Sequence, residues 1–318
     1  MTAPTVTRTR RLAVPERYDL AGTLAPLAMN RHDPVARIGG RSAWWSARTP
    51  DGPATLHLAR EGASLVATAF GAGAEWALDR ADAVAGLRDD VSGFGAIANT
   101  HPVVRQAWHN HSGLRLTASG RVFALCVPVI LTQKVTGLEA SRTWLGIARR
   151  FGEPAPGPLD GLLLPPDPAA IAATPYWEFH RHGLEQRRAD ALCRVAAVAD
   201  RIERAPDSAT ATRLLTSIPG IGPWTAAEVV RVAYGDPDTV TVGDYHVPNH
   251  VVYAMTGAPR AGRRDGAPGR MSSADARMLE VLEPFRPQRA RVVQLLLTSG
   301  PGAPRFGPRS PVRSFARF

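Results

Sequence analysis

The chain has 318 residues, 44% of them hydrophobic and 21% charged, which is enough for a large core and for two or three packed units. It contains no run of about 18 apolar residues that could span a membrane. Its two cysteines, Cys126 and Cys193, are too few for a disulfide framework and lack the spacing of metal ligands, so we expect a reducing cytoplasmic setting.

The charge balance is basic, with 38 Lys+Arg against 28 Asp+Glu and a formal net charge of +10. A polyanion partner would explain this balance, since phosphate contacts supply affinity that does not depend on sequence. An arginine-rich proteome would produce the same balance without any function. Only one of these basic residues is a lysine, Lys134, and all the others are arginines. Either a compact ammonium is needed at this position or its occurrence is chance.

The first part of the chain is rich in strand patterns. Residues 1–14 are expected to be disordered and residues 15–90 to form a small α+β domain. Turn signals such as Gly39-Gly40 separate the predicted strands, which are Tyr18–Leu27, Ser42–Arg48, Ala54–Ala59 and Ser64–Phe70. An amphipathic helix is predicted over Gly73–Leu87.

Residues 91–300 are predicted to form a mainly α-helical domain. Helical periodicity, interrupted by Gly and Pro, covers Pro102–His109, Val122–Leu131, Gly137–Phe151, Pro168–Ala173, Leu184–Ala205, Ser208–Ser217, Pro223–Tyr234, Tyr245–Met255, Ser273–Leu282 and Arg286–Thr298. Residues 301–318 are expected to be a basic, flexible tail that either follows DNA phosphates or stays solvated. The expected fold class is therefore α+β, a small strand-rich domain followed by a helical one.

The strongest local signal is the segment Ile218-Pro219-Gly220-Ile221-Gly222-Pro223-Trp224-Thr225-Ala226 between two predicted helices. A Pro-Gly ends the first helix, and a proline begins the second, where its missing N–H costs nothing. Gly220 and Gly222 allow a positive φ and the close approach of another backbone. The free amides at the start of the second helix suit a DNA phosphate, which they bind without reading sequence.

This string resembles the helix-hairpin-helix DNA glycosylase superfamily, and within it the 3-methyladenine DNA glycosylase II-like branch, which carries Pro-Gly-Ile-Gly-x-Trp-Thr-Ala as residues 219–226 do. The resemblance implies a helix-hairpin-helix over residues 208–234 that contacts DNA through Gly220, Gly222 and Thr225. It also implies a monovalent cation, Na⁺ or K⁺, held by the backbone carbonyls of Thr216, Ile218 and Ile221. The implied partner is double-stranded DNA with a damaged base, and we expect a monomer associated with the nucleoid.

A carboxylate follows the hairpin in the segment Val242-Gly243-Asp244-Tyr245. The essential aspartate of the family occupies this place, so the resemblance assigns catalysis to Asp244. The chemistry gives a separate reason, because breaking an N-glycosidic bond builds positive charge on the sugar, and a fixed carboxylate stabilises that charge and orients water. The simpler interpretation is that Asp244 caps the helix predicted to begin at Tyr245, and both roles can hold together.

A flipped base must be held between flat or apolar walls. The motif match assigns Trp224 and Tyr245 to this pocket, where their rings can stack on a cationic base. Glu228 falls where these relatives tend to carry an aromatic side chain, and it is expected either to bond a base edge or to face solvent. Trp144 and Trp177 are expected to lie in the core.

Lys134 follows Gln133 in a bend between two predicted helices. In the alkylation-repair relatives this bend carries the side chain that fills the gap left by the flipped base. The resemblance therefore implies that Lys134, with Gln133 beside it, contacts DNA at the gap. The alternative is an exposed cation without a specific role.

Bifunctional relatives carry a lysine in the hairpin for Schiff-base chemistry, and this chain has Trp224 there. The sequence also lacks the four-cysteine set of the iron–sulfur branch. The leading hypothesis is therefore a monofunctional glycosylase that needs no cofactor and releases alkylated purines, such as 3-methyladenine, in base excision repair. Two alternatives stay open: a non-catalytic protein that binds DNA lesions, and a glycosylase for another damaged base such as a deaminated purine.

Overall fold

The computed structural model describes residues 7–262 and 271–304. In these residues a five-stranded antiparallel sheet precedes a series of helices, which confirms the α+β class. Their buried apolar side chains form three clusters, one under the sheet and two among the helices. None of the helices in the described ranges has the length and apolar character needed to cross a bilayer.

The sheet has the strand order β1-β5-β4-β3-β2, and its strands are β1 Thr7–Ala13, β2 Ala36–Ile38, β3 Ser42–Thr49, β4 Gly52–Glu61 and β5 Ser64–Phe70. Side chains alternate between the two faces of a strand, so Leu56 and Leu58 of β4 and Leu65 of β5 bury on one face. Three short helices cover that face: α1 Leu20–Leu24, α2 Ala74–Asp79 and α3 Ala81–Val84.

Three predictions for this part of the chain are wrong. Residues 7–13, expected to be disordered, pair along their whole length with β5, and residues 1–6 lie outside the described range. Tyr18–Leu27, predicted as a strand, contains α1, whose start Asp19 caps by accepting the Gly22 N–H at 2.9 Å. The single helix predicted over Gly73–Leu87 is divided into α2 and α3 at Arg80.

The first helical core is formed by consecutive helices, α6 Val122–Leu131, α7 Gly137–Phe151, α8 Pro168–Ala172, α9 Gln186–Ala197, α10 Ala199–Glu203, α11 Ser208–Thr216 and α12 Pro223–Ala233. The predicted bounds of α6 and α7 are confirmed. The predicted helix Leu184–Ala205 is instead interrupted at Val198, between α9 and α10.

The second helical core is discontinuous in the sequence. It packs α4 Phe94–Ala98 and α5 Pro102–Asn110 against α13 Val247–Thr256, α14 Ser273–Leu282 and α15 Arg289–Ser299. Residues 301–304 form neither helix nor strand, and the rest of the predicted tail lies outside the described residues.

A buried ion pair joins the two parts of this second core. Arg291 of α15 is 2% exposed, and its guanidinium binds the Asp89 carboxylate just before α4, with the Nη1–Oδ2 distance at 2.9 Å. The same Oδ2 accepts the backbone N–H of Leu116 at 2.9 Å. Removal of one partner would leave the other charge buried and unpaired.

We therefore expect Asp89→Ala to lower the free energy of unfolding by about 3–5 kcal/mol, measured by urea denaturation. Glu61→Ala is the matched control, because it removes the carboxylate of the exposed pair Arg11–Glu61, whose atoms lie 2.8 Å apart. An exposed pair contributes about 1 kcal/mol or less. Equal losses in the two variants would contradict this account of the second core.

Candidate active site and nucleic-acid interface

The hairpin joins α11, which ends at Thr216, to α12, which begins at Pro223. Gly220 has φ +100°, and a Cβ atom there would lie 2.7 Å from the Cβ of Ala191 on α9. The fold therefore requires glycine at this position. Gly222 does not adopt the positive φ that glycine allows, since its φ is −94°. A Cβ at Gly222 would meet no atom within 4 Å, so the space in front of α12 is open.

Unpaired amides surround this open space. Among the described residues, no acceptor is found for the backbone N–H groups of Gly220, Gly222, Trp224 and Thr225. The first intrahelical bond here runs from the Ala226 N–H to the Gly222 carbonyl, at 3.0 Å. A helix start with free amides and a favourable dipole is an anion site by construction. The hairpin thus has the geometry of a phosphate cradle.

The α6–α7 loop, residues 132–136, packs against the hairpin. The side-chain Nε2 of Gln133 donates to the Thr225 Oγ1 at 2.8 Å and to the Gly220 carbonyl at 3.3 Å. The next residue, Lys134, is exposed and has φ +56°, a left-handed conformation that is uncommon for a side chain of this size. The structure therefore brings together the residues predicted on the hairpin and those predicted in the bend.

Both ends of this loop are fixed by side chains. At its start, the buried Arg188 of α9 donates to the Leu131 carbonyl at 2.8 Å, which satisfies the C-terminus of α6. At its end, Thr136 and Glu139 form a capping box that begins α7. Arg188 could not be identified from the sequence, because its partner carbonyl lies 57 residues away along the chain.

Asp244 lies where the two helical cores meet. Its Oδ1 accepts the backbone N–H groups of His246 at 2.7 Å and Val247 at 2.9 Å, the N-cap and the first residue of α13. Its Oδ2 accepts the indole Nε1–H of Trp224 at 3.0 Å. The carboxylate is half-buried and held by three donors from two directions. The predicted helix start at Tyr245 is wrong by two residues, but Asp244 still binds the amides that lead into the helix, which leaves the carboxylate in a defined orientation.

The segment before Asp244 is tethered to helices on both sides. Gly243 has φ +84°, and its N–H donates to the Oδ1 of the buried Asp275 on α14, at 2.8 Å. On the other side, the Thr241 hydroxyl donates to the Glu228 Oε1 on α12 at 2.6 Å. Sequence reasoning did not find Asp275, because no local pattern links it to the segment that it holds.

The carboxylate of Glu228 is occupied within the protein. Besides the Thr241 bond, its Oε2 accepts from the Arg231 guanidinium at 2.7 Å. Burial works against the charge of Arg231, but the Glu228 carboxylate outweighs it and raises the pKa of the guanidinium above its ordinary value. Glu228 was predicted for the base pocket, and a base edge would have to compete there with these partners.

The predicted aromatic residues differ in exposure. Tyr245 is 61% exposed beside Asp244, with the His246 ring edge-on at 4.6 Å. Trp144 is buried as expected, and its indole donates to Asp33 Oδ2 at 2.8 Å. Trp177 is 58% exposed, so the expectation that it lies in the core is wrong. It lies on the short 3₁₀ segment Tyr176–His182, where Tyr176 contacts its ring edge-on at 5.3 Å.

The carbonyls proposed for a cation belong to the hairpin backbone. Carbonyl oxygens are hard ligands of the kind that Na⁺ and K⁺ take. The Ile218 carbonyl accepts the Ile221 N–H at 3.0 Å and keeps a second lone pair. Within the described residues the carbonyls of Thr216 and Ile221 receive no hydrogen bond. The three carbonyls therefore keep lone pairs of the kind that a monovalent cation takes. No group of three or more His, Cys, Asp or Glu side chains in the described ranges could hold a metal ion.

No protein family model and no curated protein sequence matches this chain. Solved structures do match, at full probability. A 3-methyladenine DNA glycosylase from Archaeoglobus fulgidus has a TM-score of 0.70 and 18% identity over 91% of this chain and 97% of its own. MBOgg1, in complex with a low-affinity DNA ligand, has a TM-score of 0.66 and 15% identity over 92% and 97%. An 8-oxoguanine glycosylase/lyase from Clostridium acetobutylicum, in its apo form, has a TM-score of 0.63 and 13% identity over 92% and 97%.

These likenesses, at 13–18% identity, show the fold, and it is the fold that the hairpin string led us to expect. The chain has the fold of the helix-hairpin-helix DNA glycosylases.

The two hairpin glycines should respond differently to alanine. Gly220→Ala forces an unfavourable φ and a clash with Ala191, so we expect the free energy of unfolding to fall by about 1–3 kcal/mol. Gly222→Ala meets open space at an ordinary φ, so we expect a change within about 0.5 kcal/mol. Urea denaturation of both variants checks this, and a large loss in Gly222→Ala would show that the space in front of α12 is not open.

Proposed function

We propose that the protein is a monofunctional DNA glycosylase that hydrolyses the N-glycosidic bond of a damaged purine, with alkylated purines of the 3-methyladenine kind as its substrates. The observation that carries the proposal is the hydrogen bond from Trp224 to Asp244, at 3.0 Å. It couples a carboxylate suited to a cationic sugar with the helix whose free amides suit a phosphate. The likeness to the Archaeoglobus fulgidus glycosylase supports the alkylated class.

Double-stranded DNA is the proposed partner, bound by a monomer in the nucleoid. One phosphate binds the free amides of Gly220, Gly222, Trp224 and Thr225. The excess of basic residues, 38 against 28 acidic ones, favours contacts with the rest of the DNA backbone. Such contacts place the protein on the duplex without reading sequence. The cation held by the hairpin carbonyls of Thr216, Ile218 and Ile221 would add a positive charge beside the same phosphate.

Base release then follows from the geometry around Asp244. The damaged purine leaves the stack and lies against the faces of Trp224 and Tyr245, whose π-systems favour a cationic base. As the C1′–N bond lengthens, positive charge grows on the sugar, and the fixed Asp244 carboxylate stabilises it and orients the attacking water. A base that already carries a positive charge leaves without protonation, so no general acid is required. Lys134 and Gln133 fill the gap in the duplex.

Hydrolysis is the proposed route for base release because Trp224 occupies the hairpin position at which an amine would attack. An indole N–H is a donor only and is no nucleophile. In this structure it donates to Asp244. Glu228 is assigned a positioning role, since it holds Thr241 and through it the segment that carries Asp244.

The central test is base release from duplexes that carry single defined lesions. We expect Asp244→Asn to lower the rate of release of 3-methyladenine or 7-methylguanine by about 10²–10³-fold or more, because the amide cannot stabilise the sugar cation. DNA affinity should stay near that of the wild type. Asp160→Asn is the matched control, an exposed aspartate in the α7–α8 connection, and its rate should be unchanged.

Each contrary result has a defined meaning. Undiminished release by Asp244→Asn would remove this residue from catalysis. Release of hypoxanthine or 8-oxoguanine, but of no alkylated base, would correct the substrate class. Tight lesion binding without release from any duplex would favour the non-catalytic, lesion-binding alternative.

The phosphate cradle predicts a separate effect of Gly222→Ala. The added methyl group would occupy the open space in which a phosphate approaches the amides. We expect the Kd for duplex DNA to rise about tenfold, which corresponds to about 1.4 kcal/mol, and the salt dependence to fall by about one phosphate. Gly93→Ala is the control, since a Cβ there also meets nothing within 4 Å. If Gly222→Ala and Gly93→Ala bind duplex DNA with equal affinity, the phosphate does not bind in front of Gly222.

A further inference from the structure

We propose that Lys134 forms a Schiff base with the abasic site that base release leaves behind, and that the protein thereby nicks DNA slowly by β-elimination. The proposal rests on the proposed function, because the abasic sugar is the product of that reaction. It adds a slow second step to the monofunctional base release proposed above: water remains the nucleophile that displaces the base, and Lys134 acts only on the abasic product.

The product of base release creates a target for an amine. Hydrolysis leaves a hydroxyl on C1′, and the sugar ring opens to an aldehyde, which primary amines attack. Lys134 is the only lysine in the chain, and arginine stays protonated and cannot play this part. Apart from the terminal amino group, Lys134 is the only primary amine that the protein can offer to such a sugar.

A short path of contacts connects the loop that carries Lys134 to the proposed site of base release. Gln133, adjacent to Lys134, bonds the Thr225 hydroxyl at 2.8 Å. The neighbour of Thr225, Trp224, bonds the Asp244 carboxylate at 3.0 Å. Two hydrogen bonds therefore separate the residue that carries the amine from the carboxylate that stabilises C1′.

The backbone of Lys134 also points to a function. Its φ of +56° is unfavourable for a residue with a side chain, at a cost of about 1–2 kcal/mol. The surrounding contacts maintain it, since Arg188 holds the carbonyl before the loop and the capping box of Thr136 and Glu139 holds the end. Strain that neighbours enforce at an exposed residue is typical of functional loops. The exposed side chain is left available to DNA.

The chemistry balances without any oxidant, reductant or cofactor. The lone pair of Nζ attacks C1′, the aldehyde oxygen leaves as water, and a C1′=Nζ iminium forms. A solvent base removes a proton from C2′, and the electrons of that C–H bond expel the 3′ phosphate by breaking the C3′–O bond. Water then hydrolyses the iminium, which restores Lys134 and leaves an unsaturated aldehyde on the 3′ end. One water is released and one is consumed.

Reductive trapping tests this step directly. Wild-type protein is mixed with a duplex that already contains one abasic site, and sodium cyanoborohydride is added to reduce the iminium. We expect a covalent one-to-one complex on a denaturing gel, with peptide mapping that places the DNA on Lys134.

Three variants make the result specific. Lys134→Arg keeps the positive charge but lacks the primary amine, so the yield should fall at least about tenfold while the abasic duplex is still bound. Lys134→Arg combined with Arg11→Lys, which puts an amine on the exposed edge strand β1, should not restore the complex. Asp244→Asn should trap preformed abasic sites like the wild type, even where it releases no base.

The last variant separates the two proposals. Trapping by both the wild type and Asp244→Asn supports the Lys134 step whatever the outcome for base release. A complex that persists in Lys134→Arg, or that maps to the terminal amino group, would overturn the proposal. So would the absence of a complex in the wild type, even if base release were fully established.

Discussion

The carboxylate of Asp244 is the point on which the two helical cores and the candidate site depend. The backbone amides of His246 and Val247 hold one oxygen at the start of α13, in the second core, and the Trp224 indole on α12, in the first core, holds the other. One side chain therefore binds the amides that lead into α13, connects the two cores and is the group that we propose stabilises the sugar cation. A carboxylate held in this way needs little reorganisation when charge develops beside it, which is the condition for strong electrostatic stabilisation.

Helix α9 supports the side of the protein that we propose faces DNA, and it does so through two contacts. Its Ala191 lies against Gly220 and sets the path of the hairpin, and its Arg188 holds the carbonyl end of α6. The α6–α7 loop then returns to the hairpin through Gln133. The hairpin and the α6–α7 loop are therefore both held by α9, which fixes their positions relative to each other. This arrangement suits a reaction that needs the backbone and the gap in the duplex addressed together.

Much of the site could be predicted from the sequence, because its signals are local. Prolines, glycines and caps mark the hairpin and the ends of α6 and α7, and Asp244 stands just before the helix start whose amides it binds. What could not be predicted depends on partners distant in sequence: Asp275 at Gly243, and Arg188 at the Leu131 carbonyl. Strand β1 was missed because only Leu12 of its seven residues is buried, so its Thr- and Arg-rich sequence resembles a solvated terminus. Glu228 was assigned to the base pocket from its position in the motif, whereas in the structure its carboxylate is engaged in an ion pair with Arg231.

The discontinuity of the second core affects how the chain folds during synthesis. Helices α4 and α5 leave the ribosome well before α13–α15, and the Asp89–Arg291 pair spans 202 residues. Loops of that length close late, because the chain loses conformational entropy before the contact between the two ends stabilises the closed state. The apolar faces of α4 and α5 therefore remain unpacked until the last helices have been made, whereas the sheet and the first core can already assemble. Because Asp275, which binds the Gly243 amide, lies on α14, the segment that carries Asp244 is fully held only after α14 has been made, and a shorter chain has the hairpin without this tether.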